Sequence, residues 1–204
     1  MPSQLHNLRR TLTWGDFTRR QAAAPGPGQT VSGAETVTSY GLSLRTEVVP
    51  GAKPVRFRIK DDVSVTITLQ KQQSWVASWV LQRPAAEQAR LLEHEQGHYD
   101  LVALLARDMF IDLMQLKANS YATNNAATTD ATKVRQRYDV KMGPLQRRYD
   151  TDTNHGLNPT AQARWNGFVQ SAFTQARNPP VSAPDGTPYK ARLLDVLQAA
   201  GVSV

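Results

Sequence analysis

The stretch Leu91–Leu101, with the sequence LLEHEQGHYDL, lies inside a long helix-forming segment and decides how the rest of the chain is interpreted. The segment begins at Pro84, whose missing N–H is not needed in the first turn of a helix, and continues to about Ala118. Gly97 is its one poor helix former, and a glycine at such a position often lets another group approach the backbone closely.

Two histidines and a glutamate within this stretch have the spacing of a zinc-peptidase site, HExxH. His94 and His98 are four residues apart, so their imidazoles lie on one face of the helix and can bind the same ion. Glu95 is rotated by about 100° from His94. It can therefore lie beside the metal without binding it, take a proton from a metal-bound water and pass it to a leaving amine.

The remaining sequence limits the choice of a third zinc ligand. A catalytic zinc normally has three protein ligands and an open fourth position. The extended motif HExxHxxGxxH is excluded, because Leu101 and Leu104 stand where it needs glycine and histidine. A downstream glutamate is excluded because Glu95 is the last glutamate, and the chain has no cysteine.

The third ligand is then predicted to come from the segment after the second long helix. His155 is the only histidine that follows the motif, and it is the preferred candidate. Asp150 and Asp152 are alternatives, since carboxylates also bind zinc. A site without a third protein ligand also stays open.

The reaction also needs a hydrogen-bond donor for the oxyanion and acceptors that orient the histidines. Tyr149 is predicted as a catalytic donor, although its position on an apolar helical stripe also fits a core residue; Tyr99 and Arg148 are alternatives. The sequence offers three carboxylates as acceptors for the second imidazole nitrogens: Asp100, Asp150 and Asp152.

The pattern outside the motif predicts one α+β domain spanning residues 1–204, strand-rich over 10–80 and helical over 84–200. Val55–Ile59 and Val63–Leu69 alternate between apolar and polar residues, which predicts two neighbouring antiparallel strands. The second is a candidate edge for a substrate peptide.

Three further helices are predicted after the motif helix. The first covers about 129–149, where Pro144 should kink or interrupt it. The second covers 160–176 with Asn158 as its cap, and the last covers 189–200 after a loop over 178–188.

Composition excludes several classes of protein. With no cysteine among 204 residues, disulfide scaffolds, thiolate zinc fingers, iron–sulfur sites and cysteine nucleophiles are excluded. No apolar run is long enough to cross a bilayer, and the first residues lack the apolar core of a signal peptide. The net charge of +7 suits anionic partners such as a cell-wall polymer, but no basic run is long enough for a nucleic-acid arm.

Several segments together resemble one group of bacterial proteins, described as predicted secreted zinc-dependent proteases. These segments are Trp14–Phe17 (WGDF), Ser74–Val76 (SWV), Leu91–Leu101, Tyr149–Gly156 (YDTDTNHG) and Gln162–Trp165 (QARW). The HEQGH block followed by Tyr-Asp, and the Tyr-Asp…Thr-x-His-Gly block, are the most specific parts. The resemblance implies a zincin-like fold, bound zinc, peptidase activity, a functional role for His155 and a secreted or periplasmic location.

Three functions are therefore weighed. The first is a zincin-like metallopeptidase that binds Zn²⁺ through His94, His98 and His155, with Glu95 activating water for attack on a peptide or protein substrate. The second is a catalytically silent, zinc-stabilised binding module of the bacterial envelope. The third is a basic nucleic-acid binder with unrelated histidines.

Overall fold

Strands occupy the first third of the chain and long helices occupy the rest, so the architecture is α+β, as predicted. The computed structural model describes residues 2–26, 32–177 and 188–204. The strands are β1 (Gln4–His6), β2 (Thr18–Arg20), β3 (Ala34–Glu35), β4 (Thr38–Ser43), β5 (Thr46–Val48), β6 (Phe57–Ile59), β7 (Ser64–Leu69) and β8 (Trp75–Ala77). The helices are α1 (Ala85–Leu116), α2 (Asn124–Thr153), α3 (Pro159–Thr174) and α4 (Leu193–Ala199).

The strands form three small sheets rather than one. Their orders are β1-β7-β4, β2-β8-β3 and β5-β6. Strand β7 has the predicted alternation, with Val65, Ile67 and Leu69 buried and the Ser/Thr face at least partly exposed. Because β7 is paired on both sides, the prediction that Val63–Leu69 forms an edge is wrong.

The predicted pairing of Val55–Ile59 with Val63–Leu69 is also wrong. Strand β6 pairs instead with β5, with Glu47 opposite Arg58 and an ion pair of 2.7 Å between them. The backbone of Phe57 also pairs with that of Tyr121, just before α2. These contacts place β6 next to the helices, and β7 pairs with β1 and β4 instead.

Helix α1 is the centre of the molecule, and its bounds agree with the predicted segment. Its residues from Leu101 to Ala106 are almost completely buried, because strands β4 and β7 cover one side and the other helices cover the rest. Such complete burial holds the preceding turns, which carry the HExxH motif, in a fixed position.

Helix α2 begins earlier than predicted and is not interrupted. Thr123 caps it by accepting a hydrogen bond from the N–H of Ala126, which moves the start to Asn124. Pro144 lies inside the continuous helix. It leaves the carbonyl of Val140 without its helical partner, but Val140 is 70% exposed, so water can reach that turn.

Helix α3 begins at Pro159 with Asn158 as its cap, as predicted, and α4 is shorter than the predicted 189–200. A buried ion pair between Arg107 and Asp108 holds α4 on α1, because Asp108 also accepts a hydrogen bond of 2.8 Å from the N–H of Leu193. Residues 178–187 of the predicted loop lie outside the described residues.

Within the described part of the chain, none of the helices combines the length and the apolar character needed to span a bilayer.

Candidate metal centre

The two histidines of the motif point at each other from successive turns of α1. The Nε2 atoms of His94 and His98 are 3.2 Å apart, and their rings are nearly perpendicular. His94 is only 2% exposed. The helical spacing therefore brings the two nitrogens together as the sequence predicts.

Two glutamines fix which nitrogen of each ring faces the shared space. The Nδ1 of His94 lies 3.2 Å from Oε1 of Gln162, whose amide nitrogen donates to Tyr149 Oη. The Nδ1 of His98 contacts Oε1 of Gln146, whose amide nitrogen donates to the carbonyl of His98. Because each glutamine presents its oxygen, both Nδ1 atoms donate, and the Nε2 lone pairs are directed to one point.

Asp150, on α2, brings a carboxylate to the same point. Its Oδ1 lies 3.2 Å from Nε2 of His94 and 3.0 Å from Nε2 of His98. Burial by itself raises the pKa of Asp150, but the two imidazoles, which donate to it when they are protonated at Nε2, outweigh burial and hold this pKa well below its usual range. The carboxylate is thus ionised and available as a ligand.

His155 approaches from the loop between α2 and α3. Its Nδ1 lies 3.4 Å from Oδ1 of Asp150, and its side chain is 60% exposed. The loop turns back because Asn154, His155 and Gly156 all have left-handed φ angles. Gly156 packs against His94, where a Cβ would lie 2.9 Å from that of His94.

These residues fit a zinc ion. Tetrahedral coordination with bonds of roughly 2.0–2.1 Å separates the ligand atoms by about 3.3 Å. The three distances among His94 Nε2, His98 Nε2 and Asp150 Oδ1 are 3.0–3.2 Å. His94, Asp150 and His155 also offer ligand atoms that lie within 4.8 Å of one another. Two imidazole nitrogens with one carboxylate oxygen are a ligand set that catalytic zinc uses.

Glu95 lines the same cleft as these ligands, and one of its carboxylate oxygens has no partner among the described residues. It is 2% exposed, and its Oε2 is buried with no hydrogen bond among the described residues. A buried carboxylate oxygen without a partner is costly, so such an atom in a native fold calls for an explanation. The position fits a base that acts on a bound water or substrate.

Tyr149 packs beneath the site. Its ring stacks on that of His94 with 4.7 Å between centroids, and its hydroxyl donates to the carbonyl of His94 at 3.1 Å. Burial raises the pKa of Tyr149, so the hydroxyl keeps its proton at neutral pH. These contacts suit a residue that positions His94, and the predicted catalytic role of Tyr149 stays a prediction.

The alternative candidates lie in other networks. Asp152 contacts Arg148, Arg164 and the indole N–H of Trp165, and Asp100 accepts a hydrogen bond from Gln96. The hydroxyl of Tyr99 donates to the carbonyl of Asn7. Gln146 and Gln162, rather than the candidate carboxylates Asp100, Asp150 and Asp152, contact the Nδ1 atoms of the two histidines.

Sequence reasoning missed both glutamines as supports of the site. Gln146 lies on α2 and Gln162 on α3, and each reaches the motif only through the packing of these helices on α1. Gln162 belongs to the QARW segment of the family resemblance, but no spacing rule marks it as a partner of His94. Glutamine is also common on helix surfaces, so its residue type gives no signal.

The predicted close approach at Gly97 is confirmed. A Cβ built at this position would lie 2.6 Å from Cζ of Tyr149 and closer still to its hydroxyl. Because Gly97 has no side chain, the Tyr149 ring can pack directly against the backbone of α1, next to His94.

The substitution Gly97→Ala is expected to destabilise the protein by roughly 1–3 kcal/mol, because the methyl group overlaps a buried ring. The matched change Gly167→Ala, on α3 where nothing lies within 4 Å, should instead stabilise by about 1 kcal/mol through helix propensity. Urea unfolding of both variants measures the difference. Equal stabilities would show that the Tyr149 ring can move at no cost.

A cleft with a volume of about 810 Å³ opens over the site. Its floor is the face of α1 that carries His94, Glu95 and His98, one wall is formed by residues 32–38, and the other by α2 with residues 155–157. His94, His98, Asp150, His155 and Glu95 thus line one cleft that is large enough for a peptide.

Comparison with known proteins gives a family without an assigned activity. The family model of DUF922, described as a bacterial protein of unknown function, matches residues 13–156, a range that includes strands β3 and β4, the candidate metal ligands and Glu95, but not Gln162. Neither the curated proteins nor the solved structures contain a match. Since the matched range covers more than half of the sequence, this chain belongs to the DUF922 family of bacterial proteins.

Proposed function

We propose that this protein is a zinc-dependent peptidase with a zincin-like active site. The observation that carries the proposal is the combination of three convergent ligand atoms with an unpaired carboxylate oxygen next to them. His94, His98 and Asp150 supply the ligand atoms, and Glu95 supplies the free oxygen.

His94 and His98, together with Asp150 and the nearby His155, would hold the zinc. When bound, zinc lowers the pKa of water to about 7 and polarises a carbonyl group. Side chains of the protein orient the zinc ligands. Gln146 and Gln162 hold the imidazoles in the tautomer that binds metal, and Tyr149 supports the ring of His94 from below.

Glu95 is the general base and acid of the proposed reaction. Its free Oε2 accepts a proton from the attacking water as the water oxygen forms a bond to the peptide carbonyl carbon. The same carboxyl then donates this proton to the amine nitrogen as the C–N bond breaks. Among the described residues, the buried carboxylate oxygens without a hydrogen bond are Glu95 Oε2 and Asp62 Oδ1, and of these two residues only Glu95 lines the cleft.

Zinc analysis and a peptide cleavage assay on the intact protein test the proposal. Protein purified without an affinity metal column should contain about one zinc per chain, and a library of unstructured decapeptides should be cleaved. Treatment with a chelator should abolish cleavage, and added zinc should restore it. Full zinc occupancy without cleavage of any peptide would overturn the proposal in favour of a silent zinc-stabilised module.

A further inference from the structure

Strands β3 and β4 follow one another along the chain, and residues 33–38, which span β3 and the start of β4, run along the cleft. The carbonyl of Gly33 accepts from Ala77 N–H, and the carbonyl of Val37 accepts from Gln70 N–H, both at 2.8 Å. Antiparallel pairing alternates, so the odd-numbered residues bond to β8 and β7, and the even-numbered residues present their backbone groups on the other side. Thr36 and Thr38 therefore direct their N–H and C=O groups away from both sheets.

The side chains of the same two threonines also lack partners. The Oγ1 atoms of Thr36 and Thr38 are buried without a hydrogen bond among the described residues, as is Oε2 of Glu95. All three residues line the same cleft. A buried hydroxyl without a partner is unfavourable, and its recurrence along one wall points to a ligand that supplies the missing hydrogen bonds.

We propose that the substrate is an extended polypeptide segment that adds as a strand to the edge at Thr36–Thr38. Main-chain hydrogen bonds to the edge hold the segment, and the hydroxyls of Thr36 and Thr38 bind polar groups of the same segment. Its scissile carbonyl lies over His94 and His98, beside Glu95. The inference rests on the proposed function for the cleavage step, but binding of the segment does not require it.

The edge selects a class of substrate. A segment must be extended to pair with a strand, so unfolded or loop regions of a polypeptide fit, whereas helical segments and dipeptides do not. The other free strand edge of the same sheet, at β2, is formed by the exposed Thr18–Arg20 and does not line the cleft. Strand β7, the candidate edge in the sequence, is paired on both sides.

A scan of the substrate with N-methyl groups provides the sharpest test. Starting from the decapeptide of the library that zinc-loaded Glu95→Gln binds most tightly, each amide is methylated in turn, which removes one N–H without changing the side chain. Two quantities are measured for each peptide. One is its rate of cleavage by the zinc-loaded protein, and the other is its binding to zinc-loaded Glu95→Gln, measured by fluorescence anisotropy. Methylation at every second position should weaken each by about 10-fold or more, with little effect at the positions between.

Isosteric threonine variants test the protein side of the same contact. Thr36→Val and Thr38→Val remove the hydroxyls but keep the shape, so KM and the Kd of the peptide should rise by about 2- to 12-fold per lost hydrogen bond. The zinc content of both variants should equal that of the parent, and their midpoints of urea unfolding should be equal to or higher than that of the parent. Thr68→Val, an exposed threonine on β7, is the matched control and should change neither KM nor Kd.

The outcomes separate this inference from the proposed function. If peptides are cleaved but methylation does not weaken cleavage and binding at every second position, the strand addition is wrong and the proposed peptidase function still stands. Period-two binding to Glu95→Gln without cleavage by the parent protein would support the strand addition and overturn the peptidase. If the decapeptides are neither bound nor cleaved, both proposals are wrong.

Discussion

Replacing Glu95 with glutamine should abolish peptide cleavage while the protein keeps its zinc. The substitution keeps the size of the side chain and leaves His94, His98 and Asp150 untouched, so the metal site stays assembled. An amide cannot take up the proton that the free Oε2 would accept. Loss of a general base typically costs about 10²–10⁴-fold in rate, so kcat should fall by that factor.

The neighbouring Glu93 provides the matched control. It is exposed, and one of its oxygens accepts a hydrogen bond of 2.7 Å from Asn166 outside the cleft. Glu93→Gln should therefore cleave the decapeptide at the parent rate. Zinc content is measured for both variants by elemental analysis, and cleavage by a fluorogenic decapeptide. A Glu95→Gln protein that retains both zinc and the parent kcat would show that another group moves the proton.

Removal of either motif histidine should release the zinc. His94→Ala and His98→Ala each delete a nitrogen whose partner lies 3.2 Å away, and the remaining ligands cannot complete a tetrahedron. The loss of affinity should exceed the roughly 10–100-fold that follows from losing a group that only orients a ligand. Competition with a chromophoric chelator measures the zinc Kd of each variant.

The same measurement decides between Asp150 and His155 as the third ligand. Asp150 lies within hydrogen-bond range of both motif imidazoles, whereas the side chain of His155 is exposed and its Nδ1 lies 3.4 Å from Oδ1 of Asp150. Asp150→Ala is therefore expected to weaken zinc binding more than His155→Ala. The reverse order would make His155 the ligand and Asp150 the group that orients it. Asp152→Ala, which alters a neighbouring carboxylate in contact with Arg164, should leave the Kd unchanged.

The helices could be predicted because their signals are local. Pro84, the apolar run from Leu101 to Leu105 and the Asn158–Pro159 cap each act within a few residues, and α1 and α3 begin close to where they indicate. The HExxH geometry follows from helical spacing alone. Pro144 misled the prediction because the cost of a helical proline depends on whether the freed carbonyl is solvated, which only the tertiary structure reveals.

Strand pairing could not be predicted in the same way. The alternation of Val63–Leu69 indicated a strand and its buried face correctly, but not its neighbours. The short link between β6 and β7 suggested a hairpin, whereas β6 is held by β5 and by the backbone of Tyr121, more than sixty residues away along the chain. Pairing partners depend on contacts that no pattern within one strand contains.

The candidate site could likewise be predicted only in part from the sequence. The sequence supplied His94, His98 and Glu95, and it limited the third ligand to a short segment after α2. The supports Gln146 and Gln162, and the free strand edge at Thr36–Thr38, depend on how α2, α3 and β3 pack around α1. Residue type and spacing carry no information about such packing.

The placement of His94, His98 and Asp150 on two packed helices has a consequence for the proposed binding of zinc. Since the coordinating atoms are already gathered, capturing an ion orders little additional chain, in contrast to a zinc finger, which folds only around its metal. Apo-protein prepared with a chelator should therefore keep the helical circular dichroism of the holo form and recover its zinc without refolding. Metal supply would then regulate activity without exposing the chain to aggregation or degradation.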